Sequence, residues 1–199
     1  MNKHLDAVIL AGGAATRMGG LDKPGLTIAG CTLLEHVAAT VRAHAPDAGV
    51  TVVGPERDLP PAVYVREDPP GAGPVPALRA GLPNVRAPWC ALLAADLPYL
   101  RPEHLAALAH AADPANGAVL VDASGREQWL TGLWRTDTLR EALATYTRNS
   151  LFGLLGPLEP AHVPLSGAPD SFDVDTPEAL TRARADLENR SSAVCRGDI

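Results

Sequence analysis

Five short runs along the chain are rich in β-forming residues, and several of them are apolar on both faces. They span residues 6–12, 49–54, 62–67, 89–96 and 117–123, and turn residues bound each of them. A strand that is apolar on both faces has to be covered on both faces, as strands are in a parallel sheet between helices. These runs therefore restrict the chain to a layered α/β fold.

Helical segments separate several of these runs, as a parallel sheet requires. Residues 32–45 carry an apolar stripe at helical spacing, and Thr32 with Glu35 forms a capping box. Residues 102–113 and 176–190 each begin near a Pro and present a further apolar face. We therefore predict a Rossmann-like, doubly wound α/β fold with a mostly parallel sheet.

Two segments depart from this alternation. Residues 66–82 are crowded with Pro and Gly before a short predicted helix. Residues 119–136 are typical of two antiparallel strands joined across residues 124–126, and such an added hairpin often forms one wall of a substrate site. We predict a single domain over residues 1–189, followed by a polar, frayed tail over residues 190–199.

Composition narrows the classes of function. The chain has 199 residues, a net charge of -6 and a pI near 5.4, so we expect no nucleic-acid partner and no membrane partner. No stretch reads as a signal peptide or a membrane span, and the three Cys lack disulfide or zinc-site spacing. We therefore expect a cytoplasmic protein with reduced thiols. An anionic small substrate stays compatible with this charge, because a few local cations can bind it.

The loop after the first run combines two Gly pairs, an Arg and a Lys in AVILAGGAATRMGGLDK, residues 7–23. In an open α/β sheet, ligands bind beyond the carboxyl ends of the strands, where this loop lies. Gly12 and Gly13 let the backbone approach a ligand closely. Arg17 can fork two phosphate oxygens, and Lys23 supplies a mobile point charge. The loop has neither GK[ST] nor GxGxxG, which disfavours ATPase and hydride-transfer chemistry, and the combination favours a phosphate site over a plain connecting turn.

The segment LAGGAATRMGGLDK resembles the signature LAGGxxxRMGGxDK of the molybdenum cofactor guanylyltransferases, a branch of the nucleotidyltransferase superfamily. GPVPALRAGL, AADLP and FDVDTPEAL follow in the family's order, so the resemblance covers nearly the whole chain. It implies a sheet of the nucleotide-diphospho-sugar transferase type. It also implies Mg²⁺-dependent transfer of GMP from GTP to the phosphate of molybdenum-bound molybdopterin, with release of pyrophosphate and transient contact with molybdoenzymes or their chaperones.

The resemblance also implies roles for particular residues. Asp96, at the end of an apolar run, would be the ligand of Mg²⁺, which prefers hard oxygen atoms, although an Asp is also common in turns. Lys23 would stabilise charge on the phosphates in the transition state, and Arg17 would clamp the β- and γ-phosphates. The implied set of nucleotide- and cofactor-binding residues is Leu10, Ala11, Gly12, Gly13, Arg17, Lys23, Gly54, Asp68 and Asp96.

Some positions leave alternatives open. Gly54 stands where the guanylyltransferases often carry Asn, and Asp68 also fits a surface salt bridge. Asp173 and Asp175 stand where related sequences carry Asn; they could join Mg²⁺ or cap the last helix, and we favour the cap for at least one. The Asp form also occurs in cytidylyltransferases. A nucleotidyltransferase that uses CTP or acts on a sugar phosphate is therefore the alternative function, and a non-catalytic nucleotide-binding adaptor is the third.

The predicted hairpin supplies candidates for the pterin. Trp129, Trp134 and Arg135 lie on it, with Arg148 and Asn149 beyond. An indole face can stack on a flat heterocycle, and an Arg can bind its phosphate. Aromatic residues at alternating strand positions are also typical of a core.

Overall fold

A seven-stranded sheet lies at the centre of the computed structural model, which describes residues 3–12, 22–113, 115–165 and 176–190. In chain order the strands are β1 (Leu5–Leu10), β2 (Thr27–Ile28), β3 (Cys31–Thr32), β4 (Val50–Val53), β5 (Val63–Val65), β6 (Trp89–Ala94), β7 (Gly117–Val121), β8 (Glu127–Arg135) and β9 (Ala161–Pro164). The helices are α1 (Leu33–His44), α2 (Pro74–Gly81), α3 (Pro102–Ala111), α4 (Thr136–Thr145), α5 (Leu151–Leu155) and α6 (Pro177–Arg190). Strands β2 and β3 form a separate two-stranded sheet.

The strand order of the main sheet is β5-β4-β1-β6-β8-β7-β9. Strand β8 is antiparallel to both of its neighbours, and the other pairs are parallel. The predicted doubly wound, mostly parallel α/β fold with an added antiparallel hairpin is therefore confirmed. The carboxyl ends of β1, β4, β5 and β6 meet along one side of the sheet, which we call the carboxyl edge.

Helices cover the sheet on both faces. Helices α1, α3 and α6 pack on one hydrophobic cluster, and α2, α4 and α5 pack on a second cluster across the sheet. The predicted capping box begins α1: Glu35 N–H donates to Thr32 Oγ1 over 3.2 Å, and Thr32 N–H donates to Glu35 Oε2 over 2.8 Å. Burial on both faces explains why the central strands are apolar at successive positions.

The hairpin of β7 and β8 is irregular where it approaches the carboxyl edge. Val119 pairs with Gly132, whereas the next residue, Leu120, pairs with Gln128, so residues 129–131 form a bulge in β8. Trp134 lies further along β8 and is fully buried. A Cβ atom at Gly132 would come within 2.8 Å of the Trp134 indole nitrogen, so the glycine makes room for that ring.

The cysteines only partly meet the sequence-based expectation. Cys31 is disulfide-bonded, so the expectation of a reduced thiol is wrong for this residue. Disulfide formation depends on the distance between two cysteines in the fold, which sequence spacing does not report. Cys90 is free and buried in β6, and burial raises the pKa of its thiol to about 12.

Candidate active site

A cavity of about 330 Å³ opens at the carboxyl edge of the sheet. Small residues form much of its wall, so main-chain atoms are exposed to whatever occupies it. The segment after β1, the segment after β6 and the start of α2 supply most of this wall. The lining residues are Leu10, Ala11, Gly12, Lys23, Pro24, Gly71, Gly73, Pro74, Ala77, Ala94, Ala95, Asp96 and Leu130.

Lys23 and Asp96 face each other in this cavity. The Lys23 Nζ atom lies 3.8 Å from Asp96 Oδ2, and the two side chains are 14% and 22% exposed. Asp96 is held there because β6 runs parallel to β1: Leu10 pairs with Ala94, and the Ala95 N–H donates to the Leu10 carbonyl over 3.0 Å. A cation and a carboxylate at one rim can attract both a phosphate and a divalent metal ion.

Asp22 fixes the segment that carries Lys23. The two terminal guanidinium nitrogens of Arg57, Nη1 and Nη2, donate to the Asp22 carboxylate over 2.8 and 2.5 Å. This hydrogen bonding holds the pKa of Asp22 below its usual value. Gly25 is needed beside this pair, because a Cβ atom there would collide with the Asp22 carboxylate. The tie joins the start of the 3-10 turn at Lys23–Gly25 to the loop after β4.

The backbone of residues 10–12 forms the other rim of the cavity. The Ala11 N–H donates to the Val53 carbonyl over 2.8 Å, which fixes the end of β1 against β4. Gly54 is buried directly behind this segment, where a Cβ atom would lie 3.0 Å from the Ala11 carbonyl oxygen. A larger residue at position 54 therefore requires the Ala11 backbone to shift.

The remaining predicted site residues are not brought to the cavity wall. Gly54 lies behind Ala11, and Asp68 is exposed in the loop after β5, so neither lines the cavity. Their predicted roles in binding stay predictions. Gly13 and Arg17 lie outside the described residues, as do Asp173 and Asp175.

The predictions for the pterin need correction. Trp134 is fully buried in the core, where its ring centroid lies 6.3 Å from that of Trp129, so it has no face left for a pterin. Arg135 pairs with Trp89 at the opposite end of β6 from the cavity. Its guanidinium carbon lies 5.0 Å from the centroid of the Trp89 ring. Burial excludes Trp134 as a stacking partner, and Arg135 does not line the cavity. The sequence does not show at which end of an antiparallel strand the site lies.

Leu130 is the hairpin residue that reaches the cavity, and sequence reasoning missed it. It lies in the β8 bulge, and no residue pattern in the hairpin indicates this bulge. The glycines of the 66–82 segment were noted as a loop only, although Gly71 and Gly73 form part of the wall. Gly73 has a φ of 111°, which a residue with a side chain rarely adopts.

The described residues contain no group of three or more His, Cys, Asp or Glu side chains placed to hold a metal ion. Among the same residues, no helix is long and apolar enough to cross a bilayer.

Comparisons with known proteins agree with this architecture. A family model described as a MobA-like NTP transferase domain matches residues 7–161. A relative from Natronomonas pharaonis, named probable molybdenum cofactor guanylyltransferase, is 34% identical over an alignment of 200 positions that covers 90% of this chain and 96% of the relative.

Solved structures show the same fold. A nucleotidyl transferase from Methanothermobacter thermautotroptrophicus matches with a TM-score of 0.74 at 20% identity, and the match covers 94% of this chain and 99% of that chain. The molybdopterin-guanine dinucleotide biosynthesis protein A from Archaeoglobus fulgidus matches with a TM-score of 0.67 at 19% identity, covering 92% of this chain and 99% of that chain.

Proposed function

We propose a function from one premise: the chain belongs to the family of MobA-like NTP transferases and is a nucleotidyltransferase of molybdenum cofactor biosynthesis. The proposed reaction transfers GMP from GTP to the terminal phosphate of molybdenum-bound molybdopterin. A phosphate oxygen of the pterin attacks the α-phosphorus of GTP, and pyrophosphate leaves. The products are a molybdopterin guanine dinucleotide and pyrophosphate.

The observation that carries this proposal is the approach of Lys23 and Asp96 at one rim of the cavity, 3.8 Å apart. Both substrates are anionic, so the reaction requires charge neutralisation and alignment more than a strong base. Lys23 would draw charge from the phosphates, and the bare backbone of residues 10–12 would contact the nucleoside. Arg17, outside the described residues, keeps its predicted role on the β- and γ-phosphates.

The donor chemistry at the cavity fits Mg²⁺. Asp96 offers hard carboxylate oxygens on a side chain that is 22% exposed at the cavity rim. Mg²⁺ usually takes one or two carboxylates together with substrate phosphates and water, so a larger protein cage is not needed. When bound, the ion supplies Lewis-acid polarisation of the α-phosphate and shields the leaving pyrophosphate. Asp96 is the residue that would hold it.

We place this reaction in the cytoplasm and include transient contact with molybdoenzymes or their chaperones, which would receive the dinucleotide. The dependence on GTP is tested by pyrophosphate release from each of the four NTPs, with and without molybdopterin. We expect release only when GTP, molybdopterin and Mg²⁺ are all present. Preferential release from CTP would reject GTP as the donor, and GTP binding without any release would favour the adaptor.

Asp96→Asn tests the metal assignment. We expect kcat to fall roughly 100-fold or more, because a bound metal ion contributes several kcal/mol of charge stabilisation. The Mg²⁺ concentration for half-maximal activity should rise as well. Asp47→Asn is the matched control, since it removes the same charge from an exposed loop at the opposite edge of the sheet. Dinucleotide formation at the normal rate by Asp96→Asn would remove Asp96 from the mechanism.

A further inference from the structure

A buried carboxylate that has no role in the proposed phosphate chemistry lies behind the cavity. Glu67 follows β5 and is only 6% exposed. Its Oε1 atom accepts a hydrogen bond from the Gly71 N–H over 2.8 Å. Its Oε2 atom is buried and has no hydrogen-bond partner in the described part of the chain. A buried polar atom without a partner is costly, so this oxygen calls for a donor that the described protein residues do not provide.

The Glu67 carboxylate lies next to two glycines that line the cavity. Gly12 and Gly71 both line the cavity, and Gly71 is the residue that donates to Oε1. A Cβ atom at Gly12 would lie 3.3 Å from Glu67 Oε1 and 3.7 Å from Oε2. The absence of a side chain at Gly12 therefore leaves the carboxylate within contact range of the cavity wall.

The position of Glu67 along the sheet separates it from the phosphate chemistry. It follows β5, whereas Asp96 follows β6, and β4 and β1 lie between these strands. Three strand spacings amount to roughly 14 Å. A nucleotide whose phosphates lie at Lys23 and Asp96 would extend its nucleoside toward β4 and β5. Phosphate oxygens offer no donor, whereas the hydroxyl and N–H groups of a nucleoside do.

We propose that Glu67 is a specificity-determining residue whose carboxylate accepts hydrogen bonds from the N1–H and 2-amino groups of guanine. This inference rests on the proposed function, in which GTP is the donor substrate. Guanine places these two donors side by side, and a carboxylate is acceptor-only with lone pairs to spare after one backbone bond. Adenine and cytosine present an amino group beside an acceptor nitrogen, which a carboxylate oxygen repels.

The test compares GTP with ITP, the same nucleotide without the 2-amino group. Equilibrium binding of both is measured without molybdopterin, together with kcat/KM in the complete reaction, for the unmodified protein, Glu67→Gln and Glu56→Gln. Gln at position 67 keeps an oxygen for the Gly71 N–H, and exposed Glu56 is the control that loses the same charge. The unmodified protein should prefer GTP over ITP by about 10- to 100-fold, the range of a hydrogen bond to a charged group. Glu67→Gln should reduce this ratio to a few-fold, while Glu56→Gln leaves it unchanged.

Three outcomes overturn the inference. Equal binding of GTP and ITP by the unmodified protein overturns it, and this measurement needs no variant, so it holds even if Glu67→Gln fails to fold. An unchanged ratio in a folded Glu67→Gln variant does so as well. If Glu67→Gln weakens the binding of GTP and of ITP equally, the carboxylate contacts the ribose or supports the loop, and the inference is also overturned. Failure of the proposed function is seen separately, as a preference of the unmodified protein for CTP over GTP.

Discussion

Replacing Asp6 with Ala should weaken the fold at the edge of the sheet opposite the cavity. Asp6 is only 7% exposed, and its carboxylate accepts three backbone hydrogen bonds. The donors are the N–H groups of Gly49 (2.8 Å), Arg86 (2.6 Å) and Ala87 (2.9 Å). Asp6 therefore fixes the loops that lead into β4 and β6 against the start of β1.

The expected loss in the free energy of unfolding follows from these three N–H donors, which Asp6→Ala leaves without their acceptor. A buried donor that loses its partner costs about 1–3 kcal/mol. Because water can reach some of these groups at the edge of the sheet, we take the lower part of that range and expect Asp6→Ala to lower the free energy of unfolding by about 3–5 kcal/mol. With a urea m value near 3 kcal/mol/M, the unfolding midpoint should fall by roughly 1–1.7 M.

The assay is urea unfolding followed by far-ultraviolet circular dichroism, with Asp6→Asn as the graded variant. Its amide oxygen can still accept from Arg86 and Ala87, while its amino group faces the Gly49 N–H, so the loss should be intermediate. Asp47→Asn, in an exposed loop at the same edge, controls for the charge. A loss below about 1 kcal/mol for Asp6→Ala at an unchanged m value would refute the reasoning.

Three further predictions concern other parts of the molecule. Arg57→Ala should lower kcat/KM about 10-fold in steady-state assays, because the segment that carries Lys23 is no longer held by Arg57. The free energy of unfolding should change by less than about 1 kcal/mol, since the pair with Asp22 is partly exposed. Unchanged kinetics would contradict this prediction. The Cys90 thiol, with a pKa near 12, should react with a thiol reagent only as fast as the protein unfolds, and faster labelling would contradict its burial. Burial lowers the pKa of His36 below 6.5, so the unfolded chain binds a proton at a higher pH than the folded protein does. The free energy of unfolding should therefore fall as the pH drops below 6.5, by at most about 1.4 kcal/mol per pH unit. In urea unfolding at several pH values, His36→Gln should reduce this slope, and identical slopes would count against the assignment.

The fold and the centre of the site could be predicted because each depends on a local pattern. Successive apolar residues identified the central strands, and parallel strands place their carboxyl ends at one edge. For that reason the sequence alone indicates that Lys23 and Asp96, 73 positions apart in the numbering, lie at the same edge. The Thr32 capping box and the hairpin around residues 124–126 were predicted in the same way, from spacing alone.

Other features depend on distant contacts that no local pattern reports. Strand β9 is short and half exposed, so Ala161–Pro164 carries too weak a pattern to be recognised. Helices α4 and α5 were not predicted, because no strong signal in the sequence marks where the hairpin ends and a helix begins. Glu67 could not be singled out, because the sequence does not show that its carboxylate is buried or that one of its oxygens lacks a partner among the described residues.

The turn between β7 and β8 shows that part of the carboxyl edge can vary independently of the charged rim. The turn projects from the carboxyl edge and is organised by Asp122, whose carboxylate accepts from the backbone N–H groups of Ser124 and Arg126 over 2.9 and 3.0 Å. Since the turn draws its order from its own residues, it can lengthen or vary in composition while the Lys23–Asp96 rim stays in place. Changes at this projection would therefore reshape the surface of the carboxyl edge without moving the two charged groups at the cavity rim.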